Sequence, residues 1–125
     1  MKRATREWVD KAEDDYRAAK VLARDPARLY DQRCFHCQQS AEKYLKALVE
    51  ELSLSIPRTH ELPELMNQLL PHHPSLRSLR RGLEFLTNFS VDVRYPGDNA
   101  SKRQAEAALR WAGKVREACR AILKP

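Results

Sequence analysis

Glycine is almost missing from this chain, with three in 125 residues. That scarcity argues against a Gly-rich loop that cradles phosphate with backbone N–H groups. Together with abundant alanine, leucine, arginine and glutamate it favours helix throughout. Cysteine also numbers three, an odd count that argues against a disulfide framework. Cys34 and Cys37 form a Cys-x-x-Cys, but no strand pattern accompanies it, so a thioredoxin-like redox helix lacks its setting. A zinc site would need two further ligands, and the one local candidate, His36, falls on the other face of the helical wheel from both thiols. The three thiols are expected to pack as small apolar groups, with no metal and no cofactor. No apolar run approaches the roughly 20 residues that cross a bilayer. The opening stretch MKRATREWVDKAEDD has no secretory apolar core, so a cytoplasmic protein without membrane association is expected. HExxH and Gly-x-Ser-x-Gly are absent, and neither an internal repeat nor a low-complexity segment is visible.

What is present is a balance of 32% charged and 42% apolar residues, enough for a folded core. The length suits one domain over residues 1–125. The net charge of +6 is unevenly placed. Residues 1–74 hold twelve Lys/Arg against twelve Asp/Glu, whereas residues 75–125 hold eleven against five. The basic excess therefore sits in the last two fifths, where it can attract phosphates or an acidic partner or simply confer solubility.

Apolar spacing predicts five helices. The first runs from about Thr5, a candidate cap, to Arg24, with Trp8, Ala12, Tyr16 and Ala19 inward. Glu13, Asp14 and Asp15 are expected on its solvated face. The second spans about Leu29 to Leu52. A short third follows Thr59, carrying Leu62, Leu65, Met66 and Leu69. The fourth runs from about Ser75 to Ser90 with Leu76, Leu79, Leu83 and Leu86 inward. The fifth opens with the capping box Ser101-Lys-Arg-Gln104 and continues to about Leu123, with alanines and Gly113 allowing close helix approach. Pro96-Gly97 and Asp98-Asn99 mark a loop before it. His72 and His73, between two prolines, read as loop surface. Five helices with short connectors imply an antiparallel bundle.

Two groups could carry chemistry. On the second helix Cys34, Cys37, Ala41, Tyr44, Leu45 and Leu48 share one side. His36, Gln39, Glu42, Lys43 and Lys46 share the other. That polar face can be solvated, or it can line a site in which histidine exchanges protons and lysines neutralise phosphate. The second group is Arg94 and Tyr95, a guanidinium fork and a stacking ring ahead of a helix N-terminus.

These residues also carry a resemblance. Cys34-Phe-His-Cys-Gln-Gln-Ser-Ala-Glu-Lys-Tyr-Leu-Lys-Ala-Leu48, then Arg58-Thr-His-Glu-Leu62, then Val93-Arg-Tyr-Pro96 resemble a HEPN domain, as does Asp14-Asp15-Tyr16-Arg17-Ala18-Ala19 in the first helix. The resemblance implies an all-helical up-and-down bundle that forms homodimers. It also implies a nucleotide or RNA ligand, and a minimal nucleotidyltransferase encoded nearby as partner, in some pairs as toxin and antitoxin. In ribonuclease members an Arg-x(4–6)-His motif carries the chemistry. Here no arginine has a histidine at that distance, and after Arg94 the positions hold Asn99, Ala100 and Ser101, none of which shuttles a proton near neutral pH. The resemblance thus implies ligand binding by His36, Gln39, Lys43, Lys46, His60, Arg94 and Tyr95, with no catalytic residue assigned. A metal-independent ribonuclease is the first alternative. A purely structural dimerising or antitoxin-like subunit is the second.

Overall fold

Helix Tyr30–Glu51 (α2) is the axis of the molecule in the computed structural model, which describes residues 1–91 and 95–125. The other α-helices are Arg3–Ala23 (α1), Leu62–Leu69 (α3), Arg80–Thr87 (α4) and Lys102–Leu123 (α5). The described residues contain no strand. α1, α3, α4 and α5 all pack on α2, so its buried positions run from Arg33 and Cys34 to Leu48 and Val49 on every side. α1 runs antiparallel to α2: Thr5 Oγ1 donates to Glu51 at one end, and Asp15 meets His36 and Lys43 towards the other. α5 runs parallel to α2, since Ala100 N–H donates to Asp31 near the start of both helices and Arg120 reaches Tyr44 further along. The short α3 and α4 carry the chain back between them.

Local chemistry sets the helix ends. α2 stops where Ser53 turns left-handed at φ 58° and Leu54 N–H returns to Val49 O at 3.1 Å, satisfying carbonyls that have no partner in the helix. α5 starts with the expected capping box: Gln104 N–H donates to Ser101 Oγ at 3.0 Å and Ser101 N–H to Gln104 Oε1 at 2.9 Å. Its inner stripe of Ala105, Ala108, Ala112, Val115 and Cys119 is fully buried. The tightest glycine contact lies at Gly82 of α4. A Cβ there would sit 2.0 Å from the Trp111 ring of α5, whereas Gly113 leaves 3.2 Å to the Tyr16 hydroxyl.

Several local expectations change. α1 starts two residues before Thr5, with Lys2 as its cap residue. Thr5 is wholly buried and bonds Glu51, so a long-range acceptor took the hydroxyl that a cap would have used. Trp8 and Tyr16 lie at the margin of the core, and Val9 is inside. Glu61 occupies the cap position of α3 without a side-chain bond to the helix, and Thr59 Oγ1 accepts from Glu61 N–H in a turn outside it. The fourth helix is split: Pro74–Leu79 is a 3₁₀ helix that tightens into α4 at Arg80. The three cysteines are buried thiols with no disulfide among them. No described helix is long and apolar enough to cross a membrane.

Candidate functional site

The polar face of α2 forms one row, and two carboxylates organise it. At one end Asp15 of α1, itself mostly enclosed, meets His36 Nδ1 through Oδ1 at 2.8 Å and Lys43 Nζ through Oδ2. At the other end Glu42 accepts from Lys46 Nζ at 2.9 Å and from Gln38 Nε2 at 3.1 Å. It also meets His60 Nδ1 at 2.9 Å. Gln39 Nε2 donates to Gln38 Oε1 at 2.7 Å and so joins the second group. Lys46 Nζ also sits 5.8 Å over the Trp8 ring, a favourable cation–π placement.

The row is therefore not a solvated face. Gln38, Glu42 and Lys46 are buried, because α1 and the connector before α3 cover them. His36 and His60 keep side-chain exposures of 32% and 66%. Nδ1 of each ring faces a carboxylate, which fixes the orientation of the ring. With the ring neutral and its proton on Nδ1, Nε2 accepts a hydrogen bond; with the ring charged, it donates one. Burial alone would raise the Glu42 carboxyl. Hydrogen bonds from Lys46, His60 and Gln38 outweigh it and hold that carboxyl below the ordinary glutamate range.

The other flank of α1 carries a separate network. Arg116 of α5 grips Glu13 with Nε at 2.6 Å and Nη2 at 2.8 Å, and the Tyr44 hydroxyl donates to the same carboxylate. The Arg116 bond is the main reason the Glu13 carboxyl lies below its ordinary value. Burial opposes it, and the Tyr44 bond and the charges of Arg116 and Arg120 add to the lowering. Burial, and then the Glu13 bond, push the Tyr44 phenol up to about 12.

Of the expected site residues, His36, Gln39, Lys43, Lys46 and His60 come together on one side of α2. Tyr95 is 78% exposed. Arg94 lies outside the described residues, as do Asp92 and Val93. Thr87 Oγ1, at the end of α4, accepts from Leu62 N–H, and Ala100 N–H, just before α5, donates to Asp31 at 2.7 Å. Sequence reasoning missed the role of Asp15, read as solvated, and of Gln38. Their signal was chemical: a lysine and a histidine one face apart need a counter-charge, and α1 holds the nearest unassigned carboxylates. Among the described residues no three His, Cys, Asp or Glu gather closely enough to hold a metal ion.

A family model described as HEPN domain matches residues 5–122. Among solved structures, the chain is similar to TT1696 from Thermus thermophilus, with 23% identity, a TM-score of 0.80, and coverage of 94% of this chain and 96% of that one. It is similar also to ST0689, described as an archaeal HEPN homologue, with 25% identity, a TM-score of 0.76, and coverage of 97% and 98%. No curated protein matches.

Proposed function

The chain belongs to the HEPN domain family, and from that premise we propose that it is a cytoplasmic binding module rather than an enzyme. Its α2 row takes a phosphate-bearing ligand, a nucleotide or RNA, in a homodimer that accompanies a minimal nucleotidyltransferase. One observation carries the ligand part of this reading: each of two partly exposed imidazoles is held through Nδ1 by its own carboxylate, His36 by Asp15 and His60 by Glu42. Nε2 of both rings has no partner among the described residues. Such rings are pre-set to accept from a ligand hydroxyl or, when charged, to donate to phosphate. Lys43 shares Asp15 with His36, so positive charge for the anion comes from the rings when protonated and from Arg94. Arg94 supplies a second phosphate contact, and the exposed Tyr95 ring stacks on a base. That assignment rests on their residue types and on their place ahead of α5 in the sequence.

Melting curves with a panel of nucleotides and a short single-stranded RNA test the reading. A bound ligand raises Tm, and His36→Ala or Arg94→Ala removes the shift. An unchanged Tm across the panel overturns the ligand part. Co-purification with a co-expressed nucleotidyltransferase tests the partner separately, and sedimentation tests the dimer.

The ribonuclease reading draws on the Asp15–His36 pair, since a carboxylate-held imidazole with a free Nε2 can move a proton. Cleavage of RNA by the pure protein, lost in His36→Ala and without added metal, would favour it over binding alone.

A further inference from the structure

The geometry points to a second anion site, in a groove on the α5 side of α1, where Arg33 binds the phosphate or carboxylate group of a small molecule. Arg33 is only 9% exposed, and its Nε is enclosed without a hydrogen-bond partner. Among the described residues no carboxylate comes within ion-pair distance of its guanidinium. The other buried charged residues, Glu42 and Lys46, pair with each other. A guanidinium always carries its charge, and the enclosed Nε–H of Arg33 has no acceptor among the described residues. The Tyr30 ring, 5.5 Å from its central carbon, holds it from one side.

Arg33 lines a groove of about 590 Å³, within the roughly 300–1,000 Å³ typical of small-molecule sites. Tyr16 and Gly113 line it beside Arg33, and a Cβ at Gly113 would come 3.2 Å from the Tyr16 hydroxyl. Arg110 and Lys114 add two cations on α5, and Glu106 and Glu117 stand beside them. Three cations against two carboxylates suit one small anion better than a nucleic-acid backbone, which seeks an unbroken basic surface. The groove shares no residue with the α2 row, so this site stands or falls apart from the proposed function.

The test is titration of the ¹⁵N-labelled full chain with inorganic phosphate and, separately, with acetate, following the Arg33 Nε–Hε resonance and Tm. The resonance is assigned by its absence from Arg33→Lys. Expected are a saturable shift of that resonance with one or both anions and a rise in Tm; which anion acts identifies the ligand's acidic group. Arg33→Met should bind at least about ten-fold more weakly, yet melt no lower than wild type in anion-free buffer, because it removes an unpaired buried charge. Lys114→Ala should weaken binding several-fold with Tm unchanged, which keeps the test decisive if Arg33→Met does not fold. His36→Ala should leave the response intact. No response to either anion overturns the site. So does a fall in the anion-free Tm of Arg33→Met, which would make the arginine structural. A resonance that moves with protein concentration and with neither anion would give the groove to a second copy of the chain, and also overturns the proposal.

Discussion

Glu13 and Arg116, 103 residues apart in the chain, form a two-pronged ion pair that ties α1 to α5. The Arg116 guanidinium also lies 5.2 Å over the Tyr16 ring, and the Tyr44 hydroxyl closes the same carboxylate from α2. Three helices thus meet at one side chain. Removing a partner strands the others, which costs more than the pair contributes net.

Glu13→Ala should lower unfolding free energy by about 2–3 kcal/mol, measured by urea titration. Arg116→Lys should also destabilise, because an ammonium cannot reproduce the planar fork. A Glu13→Ala loss under about 0.5 kcal/mol, the level of an ordinary exposed pair, would show the network to be incidental.

Stability should fall on acidification with a known sign. Both Glu13 and Glu42 sit below the ordinary glutamate pKa in the folded chain, so each stabilises above the unfolded value of about 4.3. Each contribution is lost as pH drops through the lower folded value. Glu42→Gln should therefore be clearly less stable than wild type at pH 6 and closer to it near pH 3, read as urea midpoints. A constant gap at both pH values would disprove the coupling.

Two glycines should respond in opposite ways to alanine. Gly82→Ala drives a methyl to 2.0 Å from the Trp111 ring, and the overpacking should cost about 2–3 kcal/mol. Gly113→Ala meets only the Tyr16 hydroxyl at 3.2 Å, a contact offset by the roughly 1 kcal/mol that alanine gains over glycine in a helix. Its Tm should stay within a few degrees of wild type.

The thiols should be silent in the native state. Cys34, Cys37 and Cys119 are wholly buried. Burial chiefly, with the neighbouring Cys34, pushes the Cys37 thiol up to about 12, and burial alone pushes Cys119 higher still. A thiol-disulfide dye should label none of them at neutral pH until urea unfolds the chain. Rapid native labelling of Cys37 would argue for a reactive Cys-x-x-Cys after all.

What could be read in advance followed the range of the forces involved. The α5 capping box lies within four residues, and Ser101 and Gln104 gave it away. The alanine stripe of α5 and the leucines of α3 and α4 repeat at helical spacing, and they are the core. Thr5 was misread because its acceptor, Glu51, is 46 positions away. The face of α2 stayed open between solvent and site for the same reason: a helical wheel ranks residues by apolarity, and whether Lys46 or Gln38 is enclosed depends on carboxylates and covering segments the wheel does not contain. Lys43 finds its counter-charge on Asp15, 28 positions earlier. Arg33 gave no sequence signal at all, since a lone arginine at a helix start looks like any surface cation.

α2 is the most enclosed element and also the one that carries the polar row. Most domains keep recognition on peripheral loops that can drift without harming the interior. Under the binding role proposed above that separation is lost: a change that retunes Gln38, Glu42 or Lys46 is also a change at the centre of the bundle, and would register as heat sensitivity before it registered as altered selectivity. In that role, tolerated change is channelled to the few row members that reach solvent, with His60 the more exposed of the two imidazoles.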